Sequence, residues 1–181
     1  MNDFGICLDT ETTGLLLPRR ADLNLQPYIT EIYLCKFDLE TFEILEEFET
    51  LVNIPISVPE IITKITGIDN AMLQGYPFFN EIALDLEKFF ENSKCVVGQN
   101  LMFDLEILKY NFLKYKMKDN IPEFPNKICT IEMSFPMMNK RTKLGVLYEM
   151  ATGKPLIGAH RAKDDVLATL TVYRWLLSEG F

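Results

Sequence analysis

The chain has one histidine, His160, among 181 residues. Its four cysteines, Cys7, Cys35, Cys95 and Cys129, include no CxxC pair. So few nitrogen and sulfur ligands, so widely spaced, give no support to a structural zinc site or a disulfide framework. The cysteines lie in apolar runs such as Ile6-Cys7-Leu8 and Cys95-Val96-Val97, and they read as reduced core residues of a cytoplasmic protein. No apolar run approaches the ~20 residues needed to span a bilayer. The N-terminus lacks the basic, apolar, small-residue order of a secretory signal. A soluble protein with no membrane partner is expected. With nine glycines and nine prolines, low-complexity and collagenous character are excluded. Positive charge is also scarce: 18 basic side chains face 26 acidic ones, a net charge of −8. Such a chain does not hold nucleic acid by bulk charge. A bound anion would need local basic groups or metal cations to offset the field.

What is present is core-forming material: 48% of the residues are hydrophobic and 12% aromatic. With no repeat or linker in view, residues 1–181 read as a single domain. Phe4 to Thr10 reads as an opening strand, with Phe4, Ile6 and Leu8 on one face and Cys7, Asp9 and Glu11 on the other. Residues 15–27 have no period and read as a loop. Tyr28 to Phe37 is apolar on both faces, which predicts a central strand, and Ile44 to Val52 a returning one after a hairpin at 38–41. The period then becomes helical. Glu60 to Thr66, after Pro59 and before Gly67, predicts a short helix. Phe79, Ile82, Leu86, Phe89 and Phe90 mark a longer one, and Lys94 to Val97 a buried strand. Leu101, Leu105, Leu108, Phe112 and Tyr115 line another helix. Residues 116–127 read as a polar loop and Ile128 to Ile131 as a short strand. Leu144, Leu147, Tyr148 and Ala151 predict a helix ended by Gly153, and Ala162 to Leu177 the last one. Strands first, then alternating helix and strand, indicate an α/β fold: a mixed sheet with an antiparallel meander and flanking helices.

Three junctions in this plan are acidic. In Leu8-Asp9-Thr10-Glu11-Thr12-Thr13-Gly14, strand alternation puts Asp9 and Glu11 on one face, roughly 6–7 Å apart. Two such carboxylates repel, and a divalent cation accepting oxygens from both relieves the repulsion. The same pattern also describes a solvated acidic edge. In Gly98-Gln99-Asn100-Leu101-Met102-Phe103-Asp104, Asp104 falls in the first turn of a helix, where the dipole favours an anion, and Asn100 is placed to cap it. In His160-Arg161-Ala162-Lys163-Asp164-Asp165, the histidine precedes an aspartate pair at the start of the last helix. Each motif alone has an ordinary capping or solvation reading. Together they place four carboxylates and one titratable base at junctions able to converge on one end of the sheet.

Taken in order, these residues resemble the DEDD-type 3′→5′ exonucleases of ribonuclease H-like fold, in the subgroup with histidine in the third motif. That subgroup includes the proofreading subunit of bacterial replicative DNA polymerase and ribonuclease T. Asp9 and Glu11 match the first motif as DTETTG, Asp104 the second as N-x-x-F-D, and His160 with Asp165 the third as H-x4-D. Thr66-Gly67-Ile68 and Lys143-Leu144-Gly145 also resemble family segments, so the likeness spans nearly the whole chain. The spacing from His160 selects Asp165 over Asp164, which lies about 100° away around a helix and is assigned to solvent or capping. The stretch Leu16 to Gln26 is longer than the family pattern and stands near the expected base contacts.

The resemblance implies metal-dependent hydrolysis at the 3′ end of a single strand, releasing nucleoside 5′-monophosphates. It implies two divalent ions, magnesium or manganese, on Asp9, Glu11, Asp104 and Asp165, with His160 as general base. Around the terminal nucleotide it implies backbone near Thr12 and Thr13, and Leu15, Ile65, Thr66, Asn100 and Phe103. DNA is favoured over RNA because the first motif reads DTETTG rather than D-x-E-M-T-G. A DNA polymerase is a candidate partner, and the oligomeric state is left open. An RNA-trimming exoribonuclease is the second reading. A silent nucleic-acid-binding or polymerase-associated module is the third, and the presence of all the motif residues argues against it. The chain ends soon after Leu177, so no long tail for a polymerase partner is expected. Basic groups such as Arg19-Arg20, Lys109 with Lys114, and Lys140-Arg141 with Lys143 either attract phosphate or form solvated faces.

Overall fold

The computed structural model describes residues 3–158 and 161–181. His160, the expected general base, lies outside the described residues. Five strands form one sheet in the order β3-β2-β1-β4-β5: β1 Phe4–Thr12, β2 Ile29–Asp38, β3 Ile44–Leu51, β4 Val96–Gly98 and β5 Lys127–Cys129. The first three form an antiparallel meander, and β4 and β5 add in parallel on the other side of β1. The helices are α1 Glu60–Thr66, α2 Asn70–Leu73, α3 Phe79–Phe90, α4 Leu101–Lys114, α5 Thr130–Met138, α6 Leu144–Thr152 and α7 Ala162–Ser178. Among the described residues, no helix is long and apolar enough to cross a membrane.

The alternation along β1 decides the layers. Ile6 and Leu8 pack with Phe79, Leu86, Leu105 and Phe112 of α3 and α4. Cys7, with Cys35 and Val97, packs on the opposite face against Val166 and Leu170 of α7. Each fully buried side chain of this size contributes roughly 1.5–3 kcal/mol of transfer free energy. β1, at the centre, is therefore covered on both faces until its C-terminal half.

The structure corrects several details of the sequence reading. The expected strand Ile128 to Ile131 ends at Cys129, and Thr130 opens α5. Pro136 inside that helix and the bend at Asn139 (φ 51°) hide the period that Ile131, Ser134 and Met138 would otherwise show. The one-turn helix α2, capped by Asp69, was too short to carry a period. Asn100 does not cap α4 through its side chain. It sits in the left-handed region (φ 62°), and its Oδ1 accepts from Arg141 Nη2 at 2.7 Å. The 15–27 segment is a loop with a short 3-10 turn at Leu23–Leu25. Buried Gln26 ties it together, accepting from Leu17 N and donating to the Leu17 carbonyl. Lys114, one of the candidate phosphate-attracting groups, is occupied there. Its ammonium donates to the Gln26 and Pro27 carbonyls and covers the Tyr28 ring.

Candidate active site

The C-terminal half of β1 projects its side chains to two different layers. Asp9 and Glu11 share the α7 face with Cys7, and Thr10 shares the α4 face with Ile6 and Leu8. The first turn of α7 brings Asp165 to the α7 face. One carboxylate oxygen from each of Asp9, Glu11 and Asp165 lies within 4.8 Å of the others. Among the described residues, no other His, Cys, Asp and Glu side chains converge closely enough to hold a metal ion. Asp164, one residue earlier, is exposed and turned toward the preceding loop: a Cβ at Gly158 would stand 3.3 Å from its Oδ2.

Asp104 arrives from the opposite layer. It is 2% exposed, and its Oδ1 accepts from Thr10 N at 3.1 Å and Thr10 Oγ1 at 2.7 Å. The residue between the two acids of β1 thus anchors the third acid. All-oxygen donors of this kind suit hard cations such as magnesium and manganese.

The electrostatics are those of crowded anions. Burial, then Asp104 and Glu11, push the Asp9 carboxyl well above its ordinary range. Burial, then Asp165 and Glu31, push Glu11 up to about 8. Burial raises Asp104 to about 7 against the two Thr10 hydrogen bonds, which pull it down. The cluster without a cation therefore retains protons near neutrality. A divalent cation supplies the charge that the fold does not.

Sequence reading missed the group that secures α7. Glu31 on β2 is the cross-strand partner of Glu11 and is 3% exposed. It accepts from Arg161 Nε at 3.0 and 3.1 Å on its two oxygens, from Arg161 Nη2, and from Ala162 N at 3.1 Å. One carboxylate thus neutralises the arginine and caps the helix that presents Asp165. The alternation Glu31, Tyr33, Cys35 along β2 placed Glu31 on this face, but no local signal paired it with Arg161.

The remaining expected residues fall in different settings. Thr12 Oγ1 donates to the Gly14 carbonyl, and Thr13 N and Oγ1 bond Tyr28, so both threonines shape the turn after β1. Leu15 and Ile65 are exposed, at 80% and 50%, and do not belong to the core. Phe103 is partly buried against the α3–α4 core. Thr66 is buried, its hydroxyl committed to the Ile62 carbonyl and Ile68 N.

Comparison with known proteins gives the family. Residues 6–173 match the family model for exonucleases of the RNase_T type. The chain belongs to this exonuclease family. Over 179 residues it is 33% identical to a PolC-type DNA polymerase III of Caldanaerobacter subterraneus subsp. tengcongensis, covering 96% of this chain and 12% of that protein. It is 34% identical over 169 residues to the 3′-5′ exonuclease DinG of Staphylococcus aureus strain MRSA252, covering 90% of this chain and 17% of that protein. The exonuclease chain thus spans a small part of these relatives. Solved structures share its ribonuclease H-like fold. The nuclease domain of 3′hExo, a DEDDh family member bound to rAMP, superposes with a TM-score of 0.75 at 19% identity, covering 99% of this chain and 94% of that one. Exonuclease X in complex with 5′ overhanging duplex DNA gives 0.67 at 22% identity, covering 97% and 92%.

Proposed function

We propose that residues 1–181 form a single exonuclease domain that removes nucleotides from the 3′ end of single-stranded DNA, in the manner of a proofreading nuclease. The observation that carries this reading is the convergence of Asp9, Glu11 and Asp165 within 4.8 Å, with Asp104 held beside them on Thr10. Asp9, Glu11, Asp104 and Asp165 would hold two magnesium or manganese ions. When bound, such a pair supplies Lewis acidity at the attacking and leaving oxygens of an in-line displacement.

The chain's own residues do the rest. His160 takes a proton from the attacking water, a task suited to an imidazole with an ordinary pKa near 6.5. The water oxygen bonds to phosphorus, and the bond from phosphorus to the 3′-oxygen of the penultimate nucleotide breaks. That oxygen gains a proton from solvent, leaving a shortened strand and a nucleoside 5′-monophosphate. Backbone at Thr12 and Thr13 meets the terminal 3′-hydroxyl. Leu15, Ile65, Thr66, Asn100 and Phe103 surround the terminal nucleotide, and the exposure of Leu15 and Ile65 leaves apolar surface for a base. The PolC-type relative, a DNA polymerase by name, supports DNA as substrate and action beside a DNA polymerase. Four buried free cysteines support a reducing, cytoplasmic setting.

The test is incubation with 3′-labelled single-stranded DNA and RNA of equal sequence, with magnesium and then with EDTA. Release of labelled mononucleotide from DNA, abolished by EDTA, is expected. Absence of cleavage on both strands with magnesium or manganese overturns the reading.

A further inference from the structure

Thr10 stands between the two acids of β1 and is buried. Strand alternation turns its side chain to the α4 layer, where Asp104 lies in the first turn of the helix. Its hydroxyl and its backbone N–H both donate to one atom, Asp104 Oδ1, at 2.7 and 3.1 Å. A carboxylate oxygen offers two lone pairs, and these two bonds fill them. They also fix the rotation of the carboxylate about its Cβ–Cγ bond. The backbones on either side have little room to shift. Leu8 of β1 packs in one core with Leu101 and Leu105 of α4. Where β4 passes into α4, a Cβ at Gly98 would stand 2.9 Å from Leu101 Cδ1, so the helix starts tight against the strand end. Asp104 is thus pinned to the residue between Asp9 and Glu11 through Oδ1, and only Oδ2 is left to face a cation there.

We infer that Thr10 is a positioning residue that restricts Asp104 to one oxygen toward a cation, and that this restriction makes the site prefer magnesium to calcium. The inference rests on the exonuclease reading and deepens it. The two ions make different demands on a cage. Calcium takes about six to eight oxygens in flexible geometry and readily accepts a carboxylate through both of its oxygens. Magnesium demands a near-ideal octahedron, keeps several waters and needs only one or two carboxylates. Selectivity between them follows ligand number and rigidity. Asp9, Glu11, Asp104 and Asp165 carry two oxygens each, enough together to fill a calcium shell. Thr10 withdraws one of these oxygens and fixes the plane of that carboxylate. Calcium loses a chelating ligand, whereas magnesium completes its octahedron with one oxygen and water. The hydroxyl is the deciding group. Valine or isoleucine would suit a buried strand position equally well, but neither carries a donor. The backbone N–H alone would leave one lone pair of Oδ1 open.

Wild type, Thr10→Val, Thr10→Ala and Thr10→Ser are each titrated with magnesium chloride and with calcium chloride by isothermal calorimetry, without nucleic acid. The Tm of each in EDTA checks that it folds. The ratio of calcium affinity to magnesium affinity should be the same in Thr10→Ser as in wild type. In Thr10→Val and Thr10→Ala it should move toward calcium by about tenfold, the scale of one hydrogen bond to a charged group. In cleavage of a labelled single strand at fixed magnesium, the calcium concentration that halves the rate should fall in the same two variants. Equal weakening of both ions in Thr10→Val and Thr10→Ala overturns the inference, because a merely structural bond would act on both alike. A ratio in Thr10→Ser that follows those two variants also overturns it. If wild type binds the ions but cleaves neither DNA nor RNA, the exonuclease reading fails, and the calorimetric ratios still decide the role of Thr10. If wild type binds neither ion, the inference is overturned as well.

Discussion

Arg161 lies in a two-oxygen fork on Glu31, the residue directly across the sheet from Glu11. The same carboxylate caps α7 through Ala162 N. The glutamate side chain is 4% exposed and the arginine 45%, so the pair is half screened. Glu31→Gln removes the charge and halves the accepting capacity while keeping the volume. A loss of about 1–2 kcal/mol in stability is expected, after discounting for the exposure of Arg161. Turnover should fall with it, because the start of α7 sets the position of Asp165. Urea denaturation and kcat measured on the same samples check this. Lys163→Ala, which removes exposed pairs with Glu47 and Glu49, should leave the urea midpoint close to that of the wild type.

The two aspartates of α7 separate cleanly. Asp165→Asn should cost several orders of magnitude in magnesium-dependent cleavage of a labelled strand, since its oxygen joins those of Asp9 and Glu11. Asp164→Asn should lower stability by less than about 1 kcal/mol, as exposed substitutions usually do, and activity only slightly. Equal losses in the two variants would contradict the assignment.

His160→Ala should reduce turnover by about 10²–10⁴-fold, the usual span for a positioned general base, with KM little changed. The wild-type rate should climb with pH as the imidazole loses its proton. The decisive comparison is the acidic limb of the pH–rate profile. If that limb is the same in the variant, another group titrates.

Without a divalent cation, the protein should lose stability as the pH rises. Glu11 and Asp104 are raised in the folded chain to about 8 and about 7, so folding favours their neutral forms. That contribution is fully present below their ordinary unfolded values near 4, and it is lost as pH rises through about 7 to 8. In EDTA the Tm should therefore be lower at about pH 8 than at about pH 6, and magnesium should narrow the gap by replacing the protons. An identical Tm at both pH values, with and without magnesium, would show that burial and neighbouring charge do not raise these carboxyls in the folded state.

The sequence by itself determined the element plan and the acidic register. Alternation along the opening strand, read as Phe4 to Thr10, put Asp9 and Glu11 on one face, and helical spacing separated Asp165 from Asp164. These are local properties, readable because side-chain direction follows from a period of two or of 3.6. α5 was not legible, because Pro136 interrupts its period and the left-handed Asn139 ends it after only nine residues. Only the tertiary structure decided the rest. Thr10 holds Asp104 across 94 residues of chain, and Arg161 reaches Glu31 across 130. The α5–α6 connection is set against Asn100 and Gln99 by bonds spanning 41 and 43 residues. Such pairings have no signature along one chain, because they depend on which faces of the sheet α4 and α7 cover. Packing both faces of β1 settles that choice, and it brings carboxylates from opposite layers to the same strand end.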